Sequence, residues 1–243
     1  MTRLTTCADA EAVAARAADE VLRAVAAARA ERGRVHIALS GGRTPARTFA
    51  LLADAGDDWD EVEVWFADER CVARDDEQSN YRLARECLLD PAGIAPERVH
   101  RMPGELGPDA GASRYAQELL ATVARASASA PGPPALDLIM LGIGEDGHVA
   151  SLFPDALALS AGEECVCLGV RESPKPPPER ITLSLAALRA ARRCLLVATG
   201  PGKARAVAGM LGEPSPRVPA SLLRRARLTV ILDDAAAVAT ATR

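Results

Sequence analysis

Apolar residues near the start of the chain follow first the spacing of a helix and then that of a buried strand. Residues 9–32 place small apolar side chains such as Val13 and Val21 on one stripe at helical spacing, and Gly33 follows where a helix would end. Val35–Leu39 is a short, mostly apolar run, typical of a strand covered on both faces. The pattern therefore predicts a long helix followed by a buried strand.

The same alternation continues to the end of the chain. Further strands are predicted at 62–67, 136–141, 165–170, 194–199 and 228–232. Further helices are predicted after Thr44-Pro45, at 79–89, 112–126 and 185–191, from Lys203 onward and at 233–240. Loops rich in Pro, Gly or Ser are predicted at 126–134 and Ser173–Glu179. We predict one α/β domain over residues 1–243, a Rossmann-like, doubly wound, mostly parallel sheet with helices on both faces.

Composition narrows the range of partners. The chain is 49% hydrophobic and 26% charged, as in ordinary globular proteins. Its net charge of −4 and its 3% of aromatic residues argue against a nucleic-acid partner. No apolar run approaches the roughly 20 residues that span a bilayer, and acidic residues interrupt the N-terminal stretch where a signal peptide needs an apolar core. We therefore expect a cytoplasmic protein without a membrane partner, either a monomer or a small homo-oligomer.

Metal-binding spacing is missing as well. The six Cys form no CxxC pair and there are only three His. We expect neither a metal nor another cofactor.

Candidate functional groups follow the predicted strands, where open α/β sheets collect their ligands. The run Ser40-Gly41-Gly42-Arg43-Thr44-Pro45 comes directly after Val35–Leu39. Its glycines let the backbone approach a ligand, and a helix that starts there offers unpaired N–H groups to a phosphate. The alternative is a tight turn in which Thr44 caps the helix and Pro45 is its first residue.

A second group of charged residues follows the strand at 62–67. Asp68, Glu69 and Arg70 could orient a substrate or serve in acid/base chemistry, and the alternative is solvated charge in a surface loop. Arg180 and Lys203 are further candidates, since a lysine at a helix start binds phosphate as a point charge. Taken alone, each is better interpreted as a solvated surface cation, and the sequence around Lys203 does not fit a P-loop.

The segment Gly142–His148 carries the most informative pattern. Its glycines satisfy GxGxxG, but that dinucleotide fingerprint requires a helix to begin at once, whereas this segment carries Asp146 and His148 and continues to Pro154-Asp155. We interpret it as a turn that displays a general base, His148, beside the carboxylate of Asp146. A structural, hydrogen-bonded histidine is the alternative.

Five segments together resemble the 6-phosphogluconolactonase family. In chain order they are SGGRTP, DERCVARDDEQSNYRLARECLL, LGIGEDGHVASLFPD, RITLSL and TGPGKA. The resemblance runs through nearly the whole chain and implies a fold shared with glucosamine-6-phosphate deaminases and ribose-5-phosphate isomerases. It implies hydrolysis of a phosphosugar lactone in the oxidative pentose phosphate pathway, without a metal.

The resemblance also implies roles for individual residues. His148 would be the base that activates water, with Asp146 orienting or tuning it, and Asp68 and Arg70 would line the sugar side. Whether Asp146 or Asp68 is the main partner of His148 stays open at this point. Arg70 or backbone N–H groups of the glycine-rich segment around Gly144 would stabilise the oxyanion. Arg43 would add a cation near the phosphate or face solvent. The phosphate itself would be held by Ser40, Gly41, Gly42, Thr44, Arg180 and Lys203.

Two rival functions remain open at this point. Deaminases resemble the chain in the glycine loop and in the Asp-Gly-His run, but they carry a Glu shortly after the histidine in a segment that ends NEP. Here the segment is VASLFPD, without a carboxylate before Asp155. A non-catalytic sugar-phosphate sensor is the other rival, and only one Ala-rich helix precedes Val35 where a DNA-binding module would be needed.

Overall fold

The computed structural model describes residues 2–56, 58–124, 132–223 and 227–238 of the 243-residue chain. The strands in this part, numbered in chain order, are β1 (Arg3–Cys7), β2 (Val35–Leu39), β3 (Val62–Phe66), β4 (Asp68–Arg70), β5 (Leu138–Gly142), β6 (Cys167–Val170), β7 (Arg180–Leu183), β8 (Cys194–Ala198) and β9 (Leu228–Asp233). The α-helices are α1 (Ala10–Arg32), α2 (Arg43–Asp54), α3 (Asn80–Ala84), α4 (Pro108–Thr122), α5 (Leu185–Ala190), α6 (Ala204–Leu211) and α7 (Asp234–Ala237).

Six of the strands form one parallel sheet in the order β1-β9-β8-β5-β2-β3. Every residue of β3 and of β8 is buried, as expected of parallel strands covered on both faces. The predicted α/β class and its mostly parallel sheet are confirmed. The carboxyl ends of β2 and β5 lie side by side, so the segments that follow them meet at one edge of the sheet.

The helix α1 begins and ends where its sequence signals place it. Asp9 accepts a hydrogen bond from the backbone N–H of Ala12, and Gly33 ends the helix with a φ of 78°. The buried side of α1 consists of Ala and Val side chains, which let it pack closely against α2 and against β8 and β9. The predicted helix at 9–32 is therefore confirmed to within a residue.

A second, smaller sheet was not predicted. It is antiparallel in the order β4-β7-β6, and β4 is only three residues long. A strand of three charged residues has no apolar periodicity to detect, and its partner β7 lies more than a hundred residues later in the chain. The edge strand β1 was also missed, because most of its residues are exposed or half-buried.

Several boundaries differ from the predictions. The helix predicted at 79–89 is α-helical only over Asn80–Ala84 and continues as a π-helix over Arg85–Leu89. The helix predicted at 112–126 begins earlier, at Pro108, since proline fits the first turn. Ser173–Glu179 has no regular secondary structure, as predicted. Most of the loop predicted at 126–134 and the end of the last helix lie outside the described residues.

No helix in the described ranges is long and apolar enough to cross a membrane.

Candidate active site

A cleft of about 260 Å³ opens at the carboxyl edge of the parallel sheet. It is lined by residues that follow β2, β5 and β8 and by the small sheet. The candidate residues from the sequence lie on its wall except Glu69, which is buried, and Asp146, which contacts His148. The lining residues with chemical interest are Ser40, Gly41, Gly42, Arg43, Thr44, Asp68, Arg70, Asn80, Gly144, His148, Lys175, Arg180, Thr199 and Lys203.

The charge of the cleft is opposite to that of the whole chain. Five cationic side chains line it, against the single carboxylate of Asp68 among the described lining residues. The chain as a whole carries a net charge of −4. Attraction for an anionic ligand is therefore a local property of this cleft.

The glycine segment leaves the start of α2 open to the cleft. The helix begins at Arg43 with Gly42 as its cap, and no side chain caps it, so Thr44 is not the capping residue and Pro45 is not the first helical residue. The first N–H groups of a helix need outside partners and favour an anion. The Thr44 hydroxyl forms a 2.7 Å hydrogen bond with the hydroxyl of Thr199, which joins this loop to the end of β8.

Gly41 is required by packing. A Cβ atom at this position would lie 1.9 Å from Oδ1 of Asn80. Asn80 is itself buried and donates its amide to the backbone and side chain of Asp68 at 2.9 and 3.3 Å. Glycine therefore lets the loop pass directly over a fixed polar side chain.

His148 and Asp146 form the tightest polar pair beside the cleft. Nδ1 of His148 lies 2.6 Å from Oδ1 of Asp146, and the histidine ring packs against Phe153 at 4.6 Å between centroids. Burial acts to raise the pKa of Asp146, but the hydrogen bond and charge of His148 outweigh it and lower that pKa well below its ordinary value. A carboxylate accepts hydrogen bonds and does not donate them, so this pair fixes Nδ1 as the protonated nitrogen.

Asp68 does not contact His148 through any described hydrogen bond. Its two oxygens accept hydrogen bonds of 2.8 Å each from the hydroxyls of Ser40 and Ser151, and the side chain is almost fully buried. The carboxylate that partners His148 is therefore Asp146. Asp68 ties the glycine loop after β2 to the segment after His148.

Glu69 anchors the strand β4. Its Oε1 accepts from the backbone N–H groups of Arg70 and Asn80, and its Oε2 from the N–H of Tyr81 and the hydroxyl of Ser79. Burial raises the pKa of Glu69, and these four donors work against that rise. The alternative interpretation of Glu69 as solvated charge is wrong: the side chain is buried and accepts from the first two backbone N–H groups of α3, whose N-cap is Ser79.

Two arginines lie directly opposite each other in neighbouring strands of the small sheet. Arg70 in β4 pairs directly with Arg180 in β7, and both line the cleft. Burial and the charge of Arg70 together lower the pKa of Arg180. Like charges directly opposite each other in an antiparallel pair are destabilising, so this arrangement favours an anion between or beside them.

Arg180 also has a structural task that the sequence did not predict. Its guanidinium donates to the carbonyl oxygens of Lys175, Pro176 and Pro177 at 3.0–3.1 Å. These bonds hold the proline-rich loop against the cleft, where Nζ of Lys175 lies 3.7 Å from Oδ1 of Asp146. Arg180 is buried, which is contrary to its interpretation as a solvated cation.

Lys203 lies at the end of a 3₁₀ turn that leads into α6. Burial, together with the charge of Lys175, lowers its pKa, while Glu145 acts in the opposite direction. A half-buried ammonium group that opens onto a cleft is suited to neutralising an anionic ligand.

Four lining or supporting residues received no functional role from the sequence. Lys175 lies in a loop whose prolines indicated only a surface segment, and Thr199 and Ser151 carry no pattern of their own. Asn80 lies within the segment DERCVARDDEQSNYRLARECLL, for which the resemblance implies no role of this residue. Only proximity in the folded chain distinguishes these four side chains from other polar residues.

The fold and the cleft define a class: an α/β protein with a cationic cleft next to a histidine–aspartate pair. A family model described as glucosamine-6-phosphate isomerases/6-phosphogluconolactonase matches residues 8–232. The chain belongs to this family, which confirms the resemblance seen in the sequence. The 6-phosphogluconolactonase of Streptomyces coelicolor is 41% identical over 244 positions, covering 94% of this chain and 91% of that protein.

Solved structures agree with this assignment. The 6-phosphogluconolactonase from Trypanosoma brucei superposes with a TM-score of 0.85 at 28% identity, covering 98% of each chain. A monomeric glucosamine-6-phosphate deaminase superposes with a TM-score of 0.78 at 23% identity, covering 98% of this chain and 99% of that one. The second likeness shows a shared fold.

Proposed function

We propose that this protein hydrolyses 6-phospho-D-glucono-1,5-lactone to 6-phospho-D-gluconate, the lactonase step of the oxidative pentose phosphate pathway. The observation that carries the proposal is the His148–Asp146 pair, with its 2.6 Å hydrogen bond, at the wall of a cationic cleft. Family membership and the names of the curated relatives support the choice of substrate.

His148 acts as the general base. Because Nδ1 donates to Asp146, the lone pair of Nε2 is free to take a proton from a water molecule. The water oxygen adds to the lactone carbonyl carbon and gives a tetrahedral oxyanion. When the bond from that carbon to the ring oxygen breaks, the protonated His148 returns its proton to the ring oxygen, and the products are the acid and the free histidine.

The phosphate of the substrate binds at the start of α2. The unpaired N–H groups of that helix and the ammonium of Lys203 face this part of the cleft, and the exposed Arg43 adds charge at its rim. The Ser40 hydroxyl donates to Asp68, so its contribution to the phosphate is through the shape of the loop and its backbone.

The developing oxyanion is stabilised from the small sheet. Arg70 lines the cleft, so its guanidinium is placed to donate a hydrogen bond to the oxyanion. Asp68, held by two serine hydroxyls, is placed on the sugar side and is available to orient a substrate hydroxyl.

The segment after His148 argues against a deaminase. Residues 149–155 bring Ser151 to Asp68 and Phe153 to the histidine ring, and no carboxylate from this segment lines the described part of the cleft. A deaminase of this family would carry its additional Glu here.

The test is hydrolysis of freshly generated 6-phosphogluconolactone near neutral pH, corrected for spontaneous opening, with deamination of glucosamine 6-phosphate measured in parallel. We expect acceleration of the first reaction alone. His148→Ala should lower kcat by about 10²–10⁴-fold, because a general base contributes that much.

Glu163→Gln is the control, an exposed side chain that does not line the cleft, and it should keep kcat within about twofold. Deamination by the wild-type protein, or unchanged lactone turnover by a folded His148→Ala variant, would contradict the proposal.

A further inference from the structure

A second cationic cleft lies at the opposite, amino-terminal edge of the parallel sheet. Its volume is about 230 Å³, similar to that of the candidate active site. Its wall is formed by the end of α1 and by the residues just before β5, β8 and β9. The charged residues of this arginine cleft are Glu31, Arg32, Asp137, Arg192, Arg193 and Arg227.

One buried carboxylate organises two of the arginines. Oδ1 of Asp137 lies 2.9 Å from Nε of Arg32 and 3.4 Å from Nε of Arg192. Its Oδ2 accepts from the backbone N–H of His36 at 2.9 Å, so the carboxylate is fixed to the sheet. Each of these ion pairs uses the Nε atom of its arginine, and Nη1 of Arg32 contacts Glu31.

The other two arginines are placed differently. Nη1 of Arg227 donates to the carbonyl oxygens of Ala190 and Ala191 at 3.2 and 2.9 Å. These two bonds fix the side chain and do not use its other N–H groups. Arg193 is exposed and makes no side-chain hydrogen bond or ion pair within the described residues. Three of the four guanidinium groups are therefore held in position before any ligand arrives.

The charges of the cleft do not balance. Four arginines face two carboxylates, and Glu31 is largely exposed and already paired with Arg32. A fixed excess of positive charge in a concave site is suited to a multivalent anion, and guanidinium groups bind phosphate oxygens in pairs.

We infer that this cleft is a second binding site, separate from the candidate active site, for a small ligand with two or more phosphate charges. The volume fits a pyrophosphate-sized group, and a larger ligand would extend into solvent. The two clefts lie at opposite ends of five-residue strands, about 16 Å apart along the sheet. Occupancy of one therefore does not require the other to be empty.

The experiment follows backbone amide signals by NMR while inorganic pyrophosphate is added to the whole protein at constant ionic strength. The amides of His36, Asp137 and Arg193 should shift and saturate, with a Kd below about 1 mM. Shifts confined to the glycine loop and Lys203 would place the anion only in the candidate active site and overturn the inference.

Arg193→Glu tests the site without disturbing a described contact. Pyrophosphate should bind this variant at least about tenfold more weakly, because one attractive charge becomes repulsive. Arg114→Glu, at an exposed arginine of α4 that does not line the cleft, should leave the Kd within about twofold. Equal weakening by both variants, or by neither, would overturn the inference.

A parallel titration with ADP distinguishes the sources of the diphosphate. Tighter binding of ADP than of pyrophosphate supports a nucleotide ligand, and weaker binding supports a free or sugar-linked phosphate group. Absence of saturable shifts at residues 36, 137 and 193 with both probes would refute the site.

Discussion

The two sheets contribute to the candidate active site in different ways. The parallel sheet ends in loops whose groups keep spare hydrogen-bonding capacity, such as the start of α2 and Nε2 of His148. The small antiparallel sheet contributes side chains that already have partners, such as Glu69 with four donors and Arg180 with three carbonyl oxygens. The proposed base and the proposed phosphate-binding groups thus come from the loops. The small sheet mainly holds the walls of the cleft in place, and Arg70 is its proposed contribution to the reaction.

This difference predicts that substitutions in the loops lower activity with little loss of stability, whereas substitutions in the small sheet lower stability. The variants below test that division, from the largest expected effect to the smallest.

Gly144→Ala should disable the loop after β5. A Cβ atom at Gly144 would lie 2.0 Å from Nδ1 of His148 and 2.3 Å from Oδ1 of Asp146, so the pair would have to separate. Because the clash involves side-chain atoms that can rotate away, we expect kcat to fall about 10²-fold or more while the melting temperature changes by only a few degrees. Gly162→Ala, where the added methyl group meets nothing within 4 Å, is the control. Full activity of Gly144→Ala would show that the pair is not needed.

Glu69→Gln should destabilise the small sheet. Each carboxylate oxygen of Glu69 accepts hydrogen bonds from two donors, so in either orientation of the glutamine amide its NH₂ group would face two donors instead. The free energy of unfolding should therefore fall by about 2–3 kcal/mol. For a chain of this size that corresponds to roughly 4–12 °C in Tm, measurable by calorimetry.

The control for Glu69→Gln is the same exchange at Glu163, an exposed side chain. Its Tm should stay within about one degree of the wild type. An equal Tm for Glu69→Gln and the wild type would mean that the four hydrogen bonds do not hold β4.

Lys203→Ala should act mainly on substrate binding. In the proposed binding mode the ammonium group contacts the phosphate in the ground state and in the transition state alike, so KM should rise about 10–100-fold with kcat nearly unchanged. Steady-state kinetics separates the two constants. Arg180→Ala should also raise KM, and it should lower Tm as well because the proline-rich loop loses its three hydrogen bonds. A fall in kcat alone for Lys203→Ala would contradict a binding role.

The pH dependence of product binding should follow the ionisation of the Lys203 side chain. Burial lowers its pKa, so the lysine loses its charge at a pH below that of an ordinary lysine. Affinity for 6-phosphogluconate should therefore be constant just above pH 7 and should fall as the pH rises through the lowered pKa. Lys203→Arg keeps its charge throughout, since a guanidinium does not titrate in this range. Calorimetric titrations that fall in parallel for both proteins would exclude Lys203 as the titrating group.

The amino-acid sequence by itself determined the parallel sheet, most of its helices and the loops that carry the chemistry. Buried strands such as β3 and β8 are nearly continuous apolar runs, and α1 has both a cap and a terminating glycine, so local pattern is enough to predict them. The Asp146–His148 pair was predictable because its members are two residues apart in a turn.

Only the tertiary structure decided which distant side chains support that site. The pairing of β4 with β7, the contacts of Asp68 with Ser40 and Ser151, and the position of Lys175 beside Asp146 join segments that are far apart in the chain. No periodic pattern in the sequence predicts these contacts, because each depends on which loops the order of the strands brings together. A polar side chain is buried where the fold supplies its hydrogen-bond partners, and the spacing of residues in the sequence does not show which partners those are.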